Sequence, residues 1–188
     1  MGRLLLLPFA VLAFNLSAES FSISLRTVTI PENGEVTYNV IRTARQEFSF
    51  LPPSGWRVET DSKARTVTWT STDYRSVIRL KLSDENGDQV AKLQTEQLRQ
   101  TIATELPGAK ITQEFPCYTS GTSGVAFDSE RTVNDRFPVI TRVAFVPVVG
   151  GFVQFNLTAP REQFTATQVD FNRFLNSFRN ERLAAKER

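Results

Sequence analysis

Residues 152–178 read FVQFNLTAPREQFTATQVDFNRFLNSF. Phe152, Gln154, Asn156 and Thr158 alternate with Val153, Phe155 and Leu157, the period-2 pattern of a strand. Ala159-Pro160 ends the ladder, because proline has no N–H to donate. From Arg161 the period changes. Phe164, Phe171, Phe174, Leu175 and Phe178 recur at helical spacing, and Glu162, Gln163, Asp170, Asn172 and Arg173 fill the rest of the wheel. Burial of one large apolar side chain contributes roughly 1.5–3 kcal/mol, so this face can anchor a core.

Upstream of this stretch, Gly150-Gly151 signals a tight hairpin into Phe152. Residues 125–133 and 136–149 read as antiparallel strands with Asn134-Asp135 as their turn. Gly121-Thr122-Ser123-Gly124 is a second turn, and 111–118 a further strand. Val90, Leu93, Gln97-Leu98, Thr101-Ile102 and Leu106 mark one stripe of a helix of about five turns. Asp88 is its expected N-cap, and Pro107-Gly108 its stop. Short strands are expected at 57–59, 66–70 and 76–82. Phe48-Ser49-Phe50-Leu51 is a strand broken by Pro52-Pro53-Ser54-Gly55, with Trp56 placed to pack back on the core. Residues 19–41 look like a β-hairpin turning at Pro31-Glu32-Asn33-Gly34. Its phase slips near Arg26-Thr27, as a bulge would make it do. Strands joined by short turns, with segregated helices, indicate an α+β fold with an antiparallel sheet.

The chain has 188 residues, 40% of them hydrophobic, and 15 phenylalanines. That suits one domain with additions. A net charge of +2, spread along the chain, lacks the basic stripe of a nucleic-acid-binding protein. Residues 1–18 have the layout of a secretory signal peptide: Arg3, an apolar run from Leu4 to Leu16, then Ser17-Ala18 before Glu19. The run is shorter than the ~20 residues of a spanning helix. The expected product is exported, periplasmic or extracellular, with at most peripheral membrane association. The single cysteine, Cys117, excludes an intramolecular disulfide, and its strand-like surroundings suggest a small buried side chain.

The chain has no histidine. The commonest general base, the usual hydrolase triad and the usual zinc ligand are therefore missing. Gly121–Gly124 lacks the strand-to-helix setting of a nucleophile elbow. Asp84, Asn86 and Asp88 stand at alternate positions, but without the glycine and distal glutamate of a calcium loop; a turn before the helix explains them. Asp128, Glu130 and Asp135 are the best carboxylate group. Asp128 and Glu130 share one strand face, as a paired-carboxylate hydrolase would need. With Arg131, Arg136 and Arg142 nearby, a solvated outer sheet face predicts the same mixture and is the preferred reading. Trp56, Trp69, Tyr74 and Tyr118 are expected mostly in the core, with a ligand groove as the alternative. The sequon Asn156-Leu157-Thr158 falls inside a strand. The residues themselves assign no catalytic group, no metal ligand and no cofactor, and leave the binding residues unknown.

Phe48-x-Phe50-x-x-Pro53-x-Gly55-Trp56 resembles the opening of domains of the PsbP-like superfamily. The middle helix ending at Pro107-Gly108 fits that family. The segment from Phe152 to Pro160, with Phe164 and the helix ending Leu175-Asn176-Ser177-Phe178-Arg179, is similar to its close. The resemblance implies an α/β/α sandwich, a central antiparallel β-sheet flanked by two main helices. On this reading the chain divides into a signal peptide (1–18), an N-terminal β-hairpin extension (19–47), a PsbP-like α+β domain (48–180) and a charged tail (181–188). It also implies a non-catalytic PsbP/DcrB-like module, not an enzyme, that binds another envelope or exported protein. Contacts would use the sheet edge, the aromatic positions or the hairpin. Some members bind Ca²⁺ or Mn²⁺ through histidines and carboxylates, a role this histidine-free chain does not match. The alternative is a periplasmic carrier of a small apolar ligand or lipid.

Overall fold

The computed structural model describes residues 21–30, 34–83, 87 and 89–182. The segment read as a signal peptide (1–18), Asp84, Asn86 and Asp88, and residues 183–188 lie outside the described residues. The element order is β1 (Ser22–Ile30), β2 (Gly34–Arg42), β3 (Gln46–Phe50), β4 (Arg57–Asp61), β5 (Thr66–Thr70), β6 (Val77–Leu82), α1 (Thr95–Glu105), β7 (Lys110–Tyr118), β8 (Ser123–Val133), β9 (Phe137–Val148), β10 (Gly151–Pro160), α2 (Arg161–Ser177) and β11 (Arg179–Arg182). The strands form two antiparallel sheets. One has seven strands in the order β4-β5-β6-β10-β9-β8-β7, the other four in the order β1-β2-β3-β11.

β10 is the middle strand of the large sheet, between β6 and β9. Its alternation sends Val153, Phe155, Leu157 and Ala159 into the main core, while Phe152 packs with a second cluster on the other face. The chain passes from Pro160 directly into α2. Pro160 fixes the entry, with φ −54° and ψ 144°. The helix buries Phe164, Phe171, Phe174 and Leu175. Phe174 lies 5.0 Å from Phe50, 5.1 Å from Trp69 and 5.6 Å from Phe155, centroid to centroid. Phe178 stacks on Phe48 at 5.5 Å and meets Phe155 edge-on at 5.0 Å. These rings come from both sheets and α2, so one aromatic cluster joins the three. The second cluster holds Phe127, Val143 and Phe145 under Leu98 and Ile102 of α1.

The expected α/β/α sandwich with a central sheet and two flanking helices is corrected here. The described chain is mostly strand, arranged as two sheets with only two helices. The reason lies in pairing. β3 pairs with β2 and β11 rather than with any strand from β4 to β10. β1, β2 and β3, with β11, therefore build a second sheet, whose Ile41, Phe48 and Phe50 enter the main core.

Two local expectations also change. The first helix is 11 residues long and begins after Gln94, which makes no side-chain cap. The residues before it are held extended: Val90 bridges to Val149, and the Ala91 N–H donates to Val148 O at 3.1 Å. Backbone pairing thus overrides the helical stripe at Val90. β1 has no bulge, and its register with β2 runs unbroken from Ser22↔Arg42 to Ile30↔Gly34. Leu25 and Val28 are exposed, so no buried face there constrains the apolar phase. The register shift falls instead in β7, between Ile111 and Gln113. The hairpin turn at Asn134-Asp135 is as read: both residues have φ of 51°, the left-handed pair of a type I′ turn.

Glu47 of β3 binds the small sheet together. It is buried, accepts from Arg42 Nε at 2.6 Å and also pairs with Arg26 of β1. Burial acts to raise its carboxyl, but the hydrogen bonds from Arg42 and Arg26 outweigh it and hold the group below the ordinary carboxylate value. A carboxyl lowered on folding adds stability above its unfolded pKa, and loses it as pH falls through the folded value. Acid titration of unfolding free energy should therefore show Glu47→Gln losing less stability than wild type on acidification. Equal slopes would refute the link.

Gly124 is fixed by crowding. A Cβ there would sit 2.0 Å from the Phe145 carbonyl oxygen and 3.1 Å from Cys117 Sγ. Gly124→Ala should lower stability by about 2 kcal/mol or more, or roughly 5 °C in Tm. Thermal unfolding unchanged within a degree would show that the strands can separate to admit the methyl.

Candidate functional site

The chemistry-bearing residues converge between the outer strands of the large sheet and α2. Asp128 of β8 stands directly opposite Arg142 of β9. Arg142 Nε donates to Asp128 Oδ1 at 2.7 Å, and Nη2 to Oδ2 at 2.8 Å. Both residues are buried, at 7% and 8% exposure. Phe115 of β7 and Phe164 of α2 flank the guanidinium at 4.6 and 5.5 Å from their centroids. A planar fork between rings and a bidentate carboxylate cannot swing. The remaining nitrogen, Nη1, has no hydrogen-bond partner among the described residues.

Arg142 lines a cleft of about 240 Å³ that opens to solvent between β7 and α2. Phe115, Pro116, Cys117 and Tyr118 form one wall, and Asn172, Leu175 and Asn176 the other. Asn172 and Asn176 are four residues apart, hence on one helix face. Both are exposed, as is Tyr118 at 61%. Asp128 balances the Arg142 charge. The cleft therefore presents donors and acceptors beside apolar rings.

The carboxylates read together in the sequence separate. Asp128 is in the buried pair, on the side of the sheet beneath α2. The expected solvated outer face is thus corrected for this residue: Arg142, directly opposite in register, draws it inward. Glu130, partly exposed, pairs with Arg161 at the start of α2. Asp135 is in the exposed β8–β9 turn. Arg131 and Arg136 are not in the Asp128 pair, and Arg136 lies over Phe137.

Cys117 is buried, and burial pushes its thiol up to about 11, so it is not a thiolate near neutral pH. Trp69 is in the core and Trp56 packs partly buried against it. Tyr74 and Tyr118 are exposed instead: Tyr74 lies in the turn between β5 and β6, and Tyr118 is the last residue of β7. Asn156 lies in the central strand β10, its Oδ1 accepting from Gln154 Nε2 at 3.1 Å. The sequence gives no sign of Asn172 and Asn176 as site residues; they read only as the polar side of a helix.

Two further clefts of about 320 Å³ adjoin α1 on the opposite face. Lys81 and Glu105 line both and pair at 2.7 Å, and Gln154 donates to the other oxygen of Glu105 at 2.5 Å. These clefts are open and charged, unlike the closed apolar cavity a lipid carrier uses. Among the described residues no three acidic or thiol side chains gather as a metal cage, and no helix is long and apolar enough to cross a membrane.

Removing one partner of a buried ion pair leaves the other uncompensated. Asp128→Asn should cost about 3–5 kcal/mol, while Glu130→Gln, in a partly exposed pair, should cost under about 1 kcal/mol. Denaturant unfolding of both variants measures the contrast. Equal losses would show that Arg142 finds solvent when Asp128 is neutral.

No known family's sequence profile matches the chain, and no curated protein sequence matches it. A solved structure does. The chain is similar to LpqN, involved in cell envelope biogenesis of Mycobacterium tuberculosis, with a TM-score of 0.51 and 14% identity. The match covers 84% of this chain and 91% of that one. At this identity the likeness establishes a common fold, spanning most of both proteins.

Proposed function

We propose that this protein is an exported, non-catalytic interaction module of the cell envelope, of PsbP/DcrB-like type, that binds another envelope protein. The envelope setting is supported by the fold shared with LpqN, a protein of cell envelope biogenesis, and by the signal-like residues 1–18. The PsbP-like assignment is supported by its motif residues: Phe48, Phe50 and Pro53 are buried, and Gly55 has φ of 77°.

The observation that carries the binding reading is the Arg142 cleft. Its guanidinium is immobilised before any partner arrives, so little side-chain freedom is lost on contact. Tyr118 and Phe115 offer the aromatic surface that binding hot spots favour. The partner would present a backbone or side-chain oxygen to Arg142 Nη1 and an apolar edge to the rings. The non-catalytic reading draws on the same geometry, since Asp128 is committed to Arg142 and the Cys117 thiol is buried.

The test is affinity capture from envelope extract with the wild-type chain and an Asn172→Arg/Asn176→Arg variant, both eluates being examined for proteins and lipids. The substituted residues are exposed, so folding should persist. A stoichiometric protein captured by wild type and lost with the variant is the expected result. Lipid without protein would replace this reading with the carrier. A partner captured equally by both would place the contact away from the cleft.

A further inference from the structure

The face of the large sheet away from α2 is covered only in part. Leu98 and Ile102 of α1 pack on Phe127, Val143 and Phe145 of β8 and β9, which leaves the β5–β6 half of that face open. Arg79 and Lys81 of β6 are two residues apart, hence on one side of the strand, and both are exposed. Across β6–β10, Asn156 stands opposite Arg79 and Gln154 opposite Lys81. Arg79, Lys81 and Asn156 line the cleft of about 320 Å³ against the end of α1. Lys81 is shared with the adjoining cleft, which Lys63 and Arg65 also line.

Both oxygens of the one carboxylate in this cleft, Glu105, are already engaged, by Lys81 Nζ and Gln154 Nε2. Gln154 is only 2% exposed, and its Nε2 also donates to Asn156 Oδ1. The buried amide thus fixes Asn156 with its acceptor used and its Nδ2 donor left over. Lys81 keeps further N–H groups beyond the one Glu105 takes. Arg79 has no hydrogen bond or ion pair among the described residues. The acids of β4 are committed elsewhere: Asp61 Oδ1 accepts from the Ala64 N–H at 2.9 Å, and Glu59 pairs with Arg57 at 3.0 Å. The end of α1 adds a partial negative charge of about half a unit. Lys63, Arg65, Arg79 and Lys81 against Glu105 still leave the two clefts positive.

We propose that this cleft binds a phosphate group, held by Arg79, Lys81 and the Nδ2 of Asn156. A phosphate group carries three strong acceptor oxygens and close to two negative charges at neutral pH, so donors arriving from two strands can each find an oxygen. A planar carboxylate offers two oxygens to the same three groups. A neutral ligand would leave the excess positive charge uncompensated. Arginine supplies a fork and lysine a point charge, the two ways in which side chains hold phosphate. The site differs from the Arg142 cleft, where Asp128 has already balanced the guanidinium. The inference is independent of that cleft.

Titration of the isotope-labelled protein with sodium phosphate, followed by NMR beside sodium chloride at matched ionic strength, reads the site directly. The expected result is a saturable shift of the Arg79 Nε–H and Asn156 Nδ2 signals with phosphate only, while the Asn172 and Asn176 side-chain amides do not move. Arg79→Gln should weaken binding about tenfold or more. Arg79 is exposed, so the variant should keep the wild-type circular dichroism spectrum. Co-sedimentation with phosphatidylglycerol vesicles, against phosphatidylcholine vesicles, names the source of the phosphate. Sedimentation with the first alone, lost in Arg79→Gln, assigns a lipid headgroup. Phosphate binding in solution without vesicle sedimentation assigns a soluble phosphate ester. The absence of a saturable shift with phosphate overturns the proposal, as does an equal shift with chloride or an Arg79→Gln variant that binds like wild type.

Discussion

The contact between Phe174 and the rings of Phe50, Trp69 and Phe155 holds the architecture together. Its members belong to the small sheet, the large sheet and α2. No pair of these layers could close without the third, because the sides they turn to one another are apolar and must be covered. Edge-to-face ring pairs add about 0.5–1.5 kcal/mol beyond the area they bury. They also fix orientation, so α2 sits at one height over β10. That height sets where Phe164, Asn172 and Asn176 stand, and hence the position of the cleft wall.

Electrostatics divides along the same lines. The two buried carboxylates, Asp128 with Arg142 and Glu47 with Arg42 and Arg26, pair across strands: Arg142 and Arg42 stand on the neighbouring strand, and Arg26 reaches Glu47 from β1 across β2. One lies in each sheet. Buried pairs of this kind add modest net stability, since desolvation offsets attraction. Their stronger effect here is to penalise slipped registers: a one-residue shift in β8 would leave Arg142 opposite an apolar or hydroxyl side chain. The remaining pairs, such as Arg75–Glu162 and Arg99–Glu114, are largely exposed and contribute little.

Much of this was legible in the sequence. The period change at Pro160 located β10 and α2, and glycine and asparagine turns located most hairpins. What was not legible depended on pairing partners far apart in the chain. Nothing local to Phe48-Ser49-Phe50 says that it joins the hairpin before it rather than the strands after it. The stripe at Val90 and Leu93 is helical in spacing, yet a backbone bridge to Val149 takes Val90, and α1 starts only at Thr95. At the site, Asp128 and Cys117 were marked as candidates, but burial and the opposing Arg142 emerge only from register. Asn172 and Asn176 carry no local signal, because a polar helix face looks the same whether it borders a cleft or open water.

The small sheet is assembled from remote segments: β11 pairs with β3, and Asn180 Nδ2 reaches Gln46 Oε1 at 3.0 Å across 134 residues. Such long-range closure is entropically slow. The hairpin of β1 and β2 can form early from local contacts and take on β3, but the far side of β3 must wait for the arrival of residues 179–182. Until then its outer edge stays open, next to Phe48 and Phe50, which have no helix to cover them. A chain folding from its N-terminus thus passes through a stage with an adhesive strand and two bare aromatic rings. That stage is the one in which a holding chaperone would matter most.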